Sequence, residues 1–256
     1  GMEIAAALDV TDTAYALIDM DFLCWAKPAH NSTLTIHDLL VMNIVPVVRG
    51  FQSAGIDHFI LPRLILTRVE AEQLRQALAE APKLAQETAE LGDDEIMALM
   101  GREGEHPEGW FFPDTYRYHK GLSDLEILRQ AHRRMETILE EVWAERVDGL
   151  TIDSPYEALI MASIVEKETG QARERPLIAG VFVNRLRRGM LLQTDPTVIY
   201  GLGTGFDGNL RRRDLQQDGP YNTYTRAGLP PTPIALPGLA ALQAALNPAR
   251  TDALYF

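Results

Sequence analysis

Apolar positions repeat at strand spacing near the start of the chain and at helical spacing through most of the rest. Ala14-Tyr-Ala-Leu-Ile18 is a short apolar run ending at Asp19 and Asp21. Residues 35–51 carry Leu39, Met42 and Val45 at helical spacing, with Pro46 set to kink the helix. Gly55 supplies a stop, and His58-Phe-Ile-Leu61 and Leu64-Ile-Leu66 read as strands split by Pro62. Residues 14–66 therefore predict a βαβ-like unit. The helical pattern resumes over 69–81, where Pro82 ends it, and over a short stretch at 93–100. Between 124 and 146, Ile127, Ala131, Met135, Ile138 and Val142 form one apolar stripe, which predicts a long supporting helix. Ser154-Pro-Tyr-Glu157 is a capping box with proline at the first helical position, and Gly170 is a stop, so 155–169 predicts a helix. A further helix is expected over 177–187. Beyond Met190 the chain turns loop-rich, with glycine and proline punctuating 189–238. The pattern predicts an α+β protein: a smaller N-terminal α/β segment over 1–68 and a second domain over 69–256.

One carboxylate stands out. At about 100° per residue, Glu168 shares a helix face with Met161, Ile164 and Val165, while Glu166 points to the other side. A carboxylate on an apolar stripe is costly to bury charged, so its pKa rises and it holds a proton near neutral pH. A general acid needs that property. The competing readings are a rim glutamate paired with Arg173 or Arg175, and Glu166 as the reactive carboxylate.

Composition narrows the classes. Hydrophobic residues make up 46% and charged residues 23%, which describes an ordinary globular protein. A net charge of −12 argues against nucleic acid as a partner. Arg185, Arg187, Arg188 and Arg211-Arg-Arg213 cluster locally, as a solvated face or as a contact for carboxylates on a substrate. Cys24 is the only cysteine, so no intrachain disulfide forms; it reads as a buried small hydrophobe. No stretch approaches the 18 or so apolar residues of a membrane span. The six histidines show no zinc spacing, and no metal or cofactor is expected. Gly201-Leu-Gly203-Thr-Gly205 is not followed by a helix-opening sequence, which excludes a dinucleotide loop.

Seven segments then line up in order: Glu108-Gly-Trp-Phe-Phe-Pro-Asp-Thr115, Ala162-Ser-Ile-Val-Glu-Lys-Glu-Thr169, Val183-Asn-Arg-Leu186, Leu192-Gln-Thr-Asp-Pro-Thr-Val-Ile-Tyr200, Tyr221-Asn-Thr-Tyr-Thr225, Gly228-Leu-Pro-Pro231 and Ala235-Leu-Pro-Gly238. Over about residues 74–256 the chain resembles the endolytic murein transglycosylases, formerly labelled aminodeoxychorismate lyase-like. The resemblance implies a lysozyme-like-transglycosylase-type catalytic domain that cleaves the MurNAc–GlcNAc bond of peptidoglycan and leaves 1,6-anhydroMurNAc ends. It assigns Glu168 as general acid and then base. By motif it assigns substrate binding to Gln193, Thr194, Asp195, Tyr200, Tyr221, Asn222 and Tyr224. Gln193, Thr194 and Asp195 could equally cap the helix after Pro196, and the tyrosines could anchor a loop. Asn184 and Arg185 are expected to support the Glu168 helix, and Glu108, Trp110 and Asp114 to line the groove or form an aromatic corner.

The implied partners are peptidoglycan glycan strands and cell-wall synthesis enzymes, at the cell envelope. The family's usual membrane anchor is absent from this chain, and its chains continue past the expected strand at 254–256. Residues 14–66 weakly resemble a P-loop nucleotide-kinase-like fragment, but no phosphate loop is present. A non-catalytic peptidoglycan-binding or assembly factor is the alternative from another class. A pyridoxal-phosphate lyase is a third. It lacks a convincing Schiff-base context at Lys27, Lys83, Lys120 or Lys167.

Overall fold

A computed structural model describes Ala16–Leu17, Phe59–Ile60, Glu70–Ala79, Ala81, and residues 84–116 and 118–256. The chain divides into two units: Gly1–Leu66 with Asp207–Asn209, and Thr67–Phe206 with Leu210–Phe256. In the first unit, strands β1 (Ala16–Leu17) and β2 (Phe59–Ile60) pair in parallel, Ala16 opposite Phe59 and Leu17 opposite Ile60. The two strands fall within the apolar runs 14–18 and 58–61 read from the sequence. The expected helix over 35–51 and the burial of Cys24 lie outside the described residues.

The second unit is helical in its described residues. Its elements are α1 (Glu70–Ala79), α2 (Asp93–Leu99), α3 (Asp124–Ala144), α4 (Pro155–Glu168), α5 (Arg175–Arg187), α6 (Asp195–Leu202), α7 (Arg212–Gln216) and α8 (Leu239–Leu246). A single 3-10 turn, Gly203–Gly205, follows α6. No strand occurs among its described residues beyond an isolated bridge between Ala85 and Ser123. The strand expected at 254–256 is absent; Phe256 instead packs edge-on against Phe182 of α5, ring centres 5.6 Å apart.

Helix ends follow the sequence signals. Ser123 accepts from the Glu126 amide at 3.2 Å to start α3, and Ser154 accepts from the Glu157 amide at 3.2 Å to start α4. The Glu157 carboxylate reaches one residue further back, to the Asp153 amide at 2.6 Å. Such caps satisfy amides that have no partner inside the helix.

Helix α4 is the centre of the unit. α8 packs along it, and α3, α5 and α6 cover its remaining sides. Residues 158–166 are all buried. The expectation of one apolar stripe facing inward is therefore corrected: this helix is enclosed on every side, and position around its axis does not separate inside from outside. α8 was hidden in the loop-rich reading. Its sequence, LAALQAAL, is too short and too uniformly apolar to show a period.

Two glycines hold the packing close. A Cβ on Gly180 of α5 would lie 2.5 Å from the Ala249 carbonyl oxygen. Gly109, at φ +89°, would place one 2.6 Å from the Pro233 ring. The first contact lets the final residues lie along α5, where Asn184 donates to the carbonyls of Thr251 (2.8 Å) and Ala253 (3.0 Å). No described helix is long and apolar enough to cross a membrane.

Candidate active site

The last turn of α4 carries two carboxylates with different surroundings. Glu166 is 6% exposed. It accepts from the Arg175 guanidinium at 3.0 Å and from the Gly238 amide at 3.0 Å, which ties α4 to the starts of α5 and α8. The arginine pairing weighed for Glu168 thus falls on Glu166. Glu168 is the final residue of the helix and only partly buried. Thr194 donates its hydroxyl to Glu168 Oε2 at 2.6 Å. Burial pushes the Glu168 pKa above the ordinary glutamate value; the Thr194 hydrogen bond opposes the rise, and the nearby Asp195 charge adds to it.

Thr194 reaches this position because the chain turns sharply before it. Gln193 has φ +52°, the only positive value at a non-glycine among the described residues. Its amide donates to the Thr223 carbonyl at 3.0 Å. Arg185 of α5 holds the same turn, donating to the Leu192 carbonyl at 2.7 Å and to the Gln193 side chain at 3.4 Å. Thr223 accepts from the Thr194 amide at 3.1 Å, and Thr197 donates to the Thr194 carbonyl at 2.9 Å. Non-glycine residues in this backbone region cost roughly 1–3 kcal/mol and persist where the surroundings impose them.

The residues singled out by motif separate into three groups. Gln193, Thr194, Asp195 and Tyr224 gather at the end of α4. Tyr224 donates its hydroxyl to Asp195 at 2.5 Å. Burial, followed by the hydrogen bond and charge of Asp195, raises the Tyr224 pKa, and the charge of Glu168 contributes. Tyr200 and Tyr221 form a second group, packed edge to face at 4.9 Å, with the Tyr221 hydroxyl on Thr232 at 2.8 Å. Asn222 stands apart and corrects the expectation that its amide is free for substrate. It is 5% exposed. Its Nδ2 faces the carbonyls of Asp214, Leu215 and Gln217 at 3.2, 3.2 and 2.7 Å, and its Oδ1 accepts from the Tyr224 amide at 2.9 Å. With donors and acceptor committed, Asn222 shapes the loop that presents Tyr224. Thr197 and Thr223 are the site residues that motif reasoning passed over. The spacing of Thr194 and Thr197, one helical turn apart, was the available signal for the first; none existed for Thr223.

A cavity of about 630 Å³ lies at the other end of α4, lined by Arg102, Glu105, Trp110, Tyr156 and Thr232 among others. Its Pro155 rim and Glu168 are the two ends of the 14-residue helix, about 20 Å apart at 1.5 Å per residue. Trp110 stacks on Tyr156 at 5.8 Å and lies under the Arg102 guanidinium at 4.0 Å, an aromatic corner remote from the Glu168 carboxylate. Glu108 is fully buried and Asp114 is exposed. Among the described residues no group of His, Cys, Asp and Glu could hold a metal ion.

These features define a helical domain with one half-buried, hydrogen-bonded carboxyl at the end of its central helix. The YceG-like family model matches residues 52–256, and the chain belongs to that family. An endolytic murein transglycosylase of Bacillus subtilis (strain 168) is 37% identical over 196 residues, covering 74% of this chain and 52% of that protein. A second, from Streptococcus pneumoniae (strain D39), is 30% identical over 231 residues, covering 88% of this chain and 40% of that protein. The chain thus spans about half the length of the curated relatives it matches. A crystal structure of a YceG-like protein from Listeria monocytogenes superposes with a TM-score of 0.63 at 30% identity, covering 84% of this chain and 75% of that one.

Proposed function

We propose that the chain carries the catalytic domain of an endolytic peptidoglycan lytic transglycosylase, with Glu168 as its general acid and base. The observation behind this is the partly buried Glu168 carboxyl at the end of α4, held at one oxygen by Thr194 beside Asp195 and Tyr224, a setting in which burial raises its pKa. The names of the relatives supply the substrate class. The protonated Glu168 gives its proton to the oxygen between MurNAc and GlcNAc as the MurNAc C1–O bond breaks. The 6-hydroxyl of the same MurNAc then attacks C1, and Glu168 takes the hydroxyl proton. The products are a 1,6-anhydroMurNAc end and a free GlcNAc hydroxyl, with no water consumed and the carboxyl returned to its starting state. Because the nucleophile is part of the substrate, its effective concentration is high. Ordinary glycosidases use a second carboxylate for the step that the 6-hydroxyl performs here.

In this reading Gln193, Asp195 and Tyr224 meet sugar hydroxyls and the acetamido group; their gathering at the end of α4 supports it. Tyr200 and Tyr221 form an aromatic wall further along. The domain is read as a lysozyme-like-transglycosylase-type catalytic domain of the α+β class, and the single glutamate at a helix end supports that reading. Residues 1–68 are read as a module of their own, with residues 69–256 as the catalytic part. The reading places the protein at the cell envelope, working on glycan strands alongside cell-wall synthesis enzymes.

Incubation with purified peptidoglycan, followed by mass spectrometry of the soluble fragments, tests the proposal. Anhydro-ended muropeptides are expected. Reducing MurNAc ends would make the enzyme a hydrolase, with Asp195 as the second carboxylate. Binding to peptidoglycan without any release would point to the non-catalytic assembly factor.

A further inference from the structure

We infer that Thr194 is a positioning residue, part of a three-hydroxyl clasp with Thr197 and Thr223 that fixes Glu168 Oε2 and leaves Oε1 as the oxygen that moves the proton. The inference rests on Glu168 being the acid–base group and goes beyond it by assigning the two oxygens different tasks. It replaces the sugar-binding role that the motif suggests for Thr194. All three threonines are buried, at 2%, 0% and 3% exposure for Thr194, Thr197 and Thr223. A hydroxyl enclosed to that degree presents little to a sugar.

The hydrogen bonds meet on Thr194, which alone of the three reaches the carboxyl. Thr194 Oγ1 donates to Glu168 Oε2 at 2.6 Å. Its amide donates to Thr223 Oγ1 at 3.1 Å, and its carbonyl accepts from Thr197 Oγ1 at 2.9 Å. The Thr197 and Thr223 hydroxyls lie 2.9 Å apart and complete the ring. Thr194 is the residue before α6, where a threonine hydroxyl ordinarily accepts from an amide of the first turn. Here it makes no such cap. The hydroxyl that would serve the helix serves the carboxylate, and the left-handed Gln193 turns it there.

The consequence is chemical. A carboxylic acid has one oxygen that carries the proton and one that only accepts. An oxygen already accepting from a fixed hydroxyl is the accepting one, so the acidic proton sits on Oε1. The same hydrogen bond stabilises the carboxylate formed after proton transfer, since a donor to the charged form favours it. The clasp thus fixes the direction of transfer and moderates the rise that burial imposes. The ionisable groups around the carboxyl are Asp195 at the start of α6, Tyr224 on the following loop and, facing Tyr224, Arg185 of α5.

Thr194→Val, Thr194→Ala and Thr194→Ser test the clasp in the intact chain. For Val and Ala, kcat for anhydro-muropeptide release is expected to fall about 10²-fold, the scale of an ångström-sized misplacement of a reacting group. KM should stay within about two-fold, because the lost hydroxyl touches no sugar. The alkaline limb of the pH–rate profile should move to higher pH, and Ser should restore both rate and limb. Titration of the Glu168 side chain, followed by its ¹³C carboxyl shift, should move upward in Val and Ala and return in Ser. A rise in KM at unchanged kcat would make Thr194 a sugar contact and overturn the inference, as would an unmoved Glu168 titration. The titration needs no turnover. A parent protein that released no anhydro ends would therefore sink the proposed activity, while an upward shift in Thr194→Val would still uphold the clasp.

Discussion

Glu166 and Glu168 lie two residues apart on one helix, and the protein treats them as opposites. Glu166 is enclosed, ion-paired with Arg175 and bonded to the Gly238 amide, so three helices meet on it. Glu168 receives a neutral hydroxyl, with a second carboxylate nearby and no cation bonded to it among the described contacts. The first setting stabilises charge and geometry. The second favours the protonated form of the carboxyl and leaves one oxygen outside the Thr194 hydrogen bond. Burial alone does not mark a reactive carboxylate: Glu166 is the more buried of the two, and its partners make it structural.

Replacing each carboxylate should separate activity from stability. Glu168→Gln is expected to give the largest effect: glycan cleavage should fall toward the upper end of the 10²–10⁴-fold range for losing an acid–base group, because one residue serves both proton steps. Release of anhydro-muropeptides reads this directly, and retained activity would remove Glu168 from its role. Glu166→Ala should do the reverse. Removing one partner of a buried ion pair costs about 3–5 kcal/mol. A lowered denaturation midpoint is expected, with nearly parental activity for each molecule that stays folded. An inactive but fully stable Glu166→Ala would exchange the two assignments.

A smaller change at the far end of the helix sharpens the contrast. Ser154→Ala removes the N-cap of α4 and should cost about 1 kcal/mol. Its catalytic rate should not change, because the cap lies at the opposite end of the helix from Glu168. A rate loss larger than the loss of folded protein would mean that the cap positions the carboxyl.

The smallest expected effect is on the pH dependence of stability. The folded-state pKa of Glu168 is raised, so the folded protein holds this proton where the unfolded chain has released it. That contribution is full below the unfolded glutamate value of about 4.3 and is lost as pH rises through the folded value. Glu168→Gln has no such loss. Thermal melts should place the variant above the parent at pH 8, with the gap closing near pH 4. An unchanged gap across that range would show that Glu168 titrates normally in the folded protein.

Much of the helical framework could be read in advance, because caps and prolines act locally. Ser123 and Ser154 mark the starts of α3 and α4 in the sequence and in the structure. Burial does raise the Glu168 pKa as expected, but the helix-face argument used to single it out is not supported by the fold. The face shared with Met161, Ile164 and Val165 means little on a helix buried all round; the motif carried the assignment. Asn222 shows the opposite failure, since a polar side chain in a motif reads as a ligand until its hydrogen bonds are counted. Thr223 could not be found at all, since its contact with Thr194 joins residues 29 apart along the chain. Sequence patterns of period two or 3.6 report on local burial and are silent on such meetings.

Arg185 gives the end of the chain a mechanical connection to the Gln193 turn. Its Nε donates to the Leu254 carbonyl at 2.7 Å, while its Nη1 holds the Leu192 carbonyl at 2.7 Å. One guanidinium is thus shared by the tail and by the turn that aims Thr194. Residues near Leu254 and the left-handed backbone at Gln193 are therefore held by the same planar group on α5.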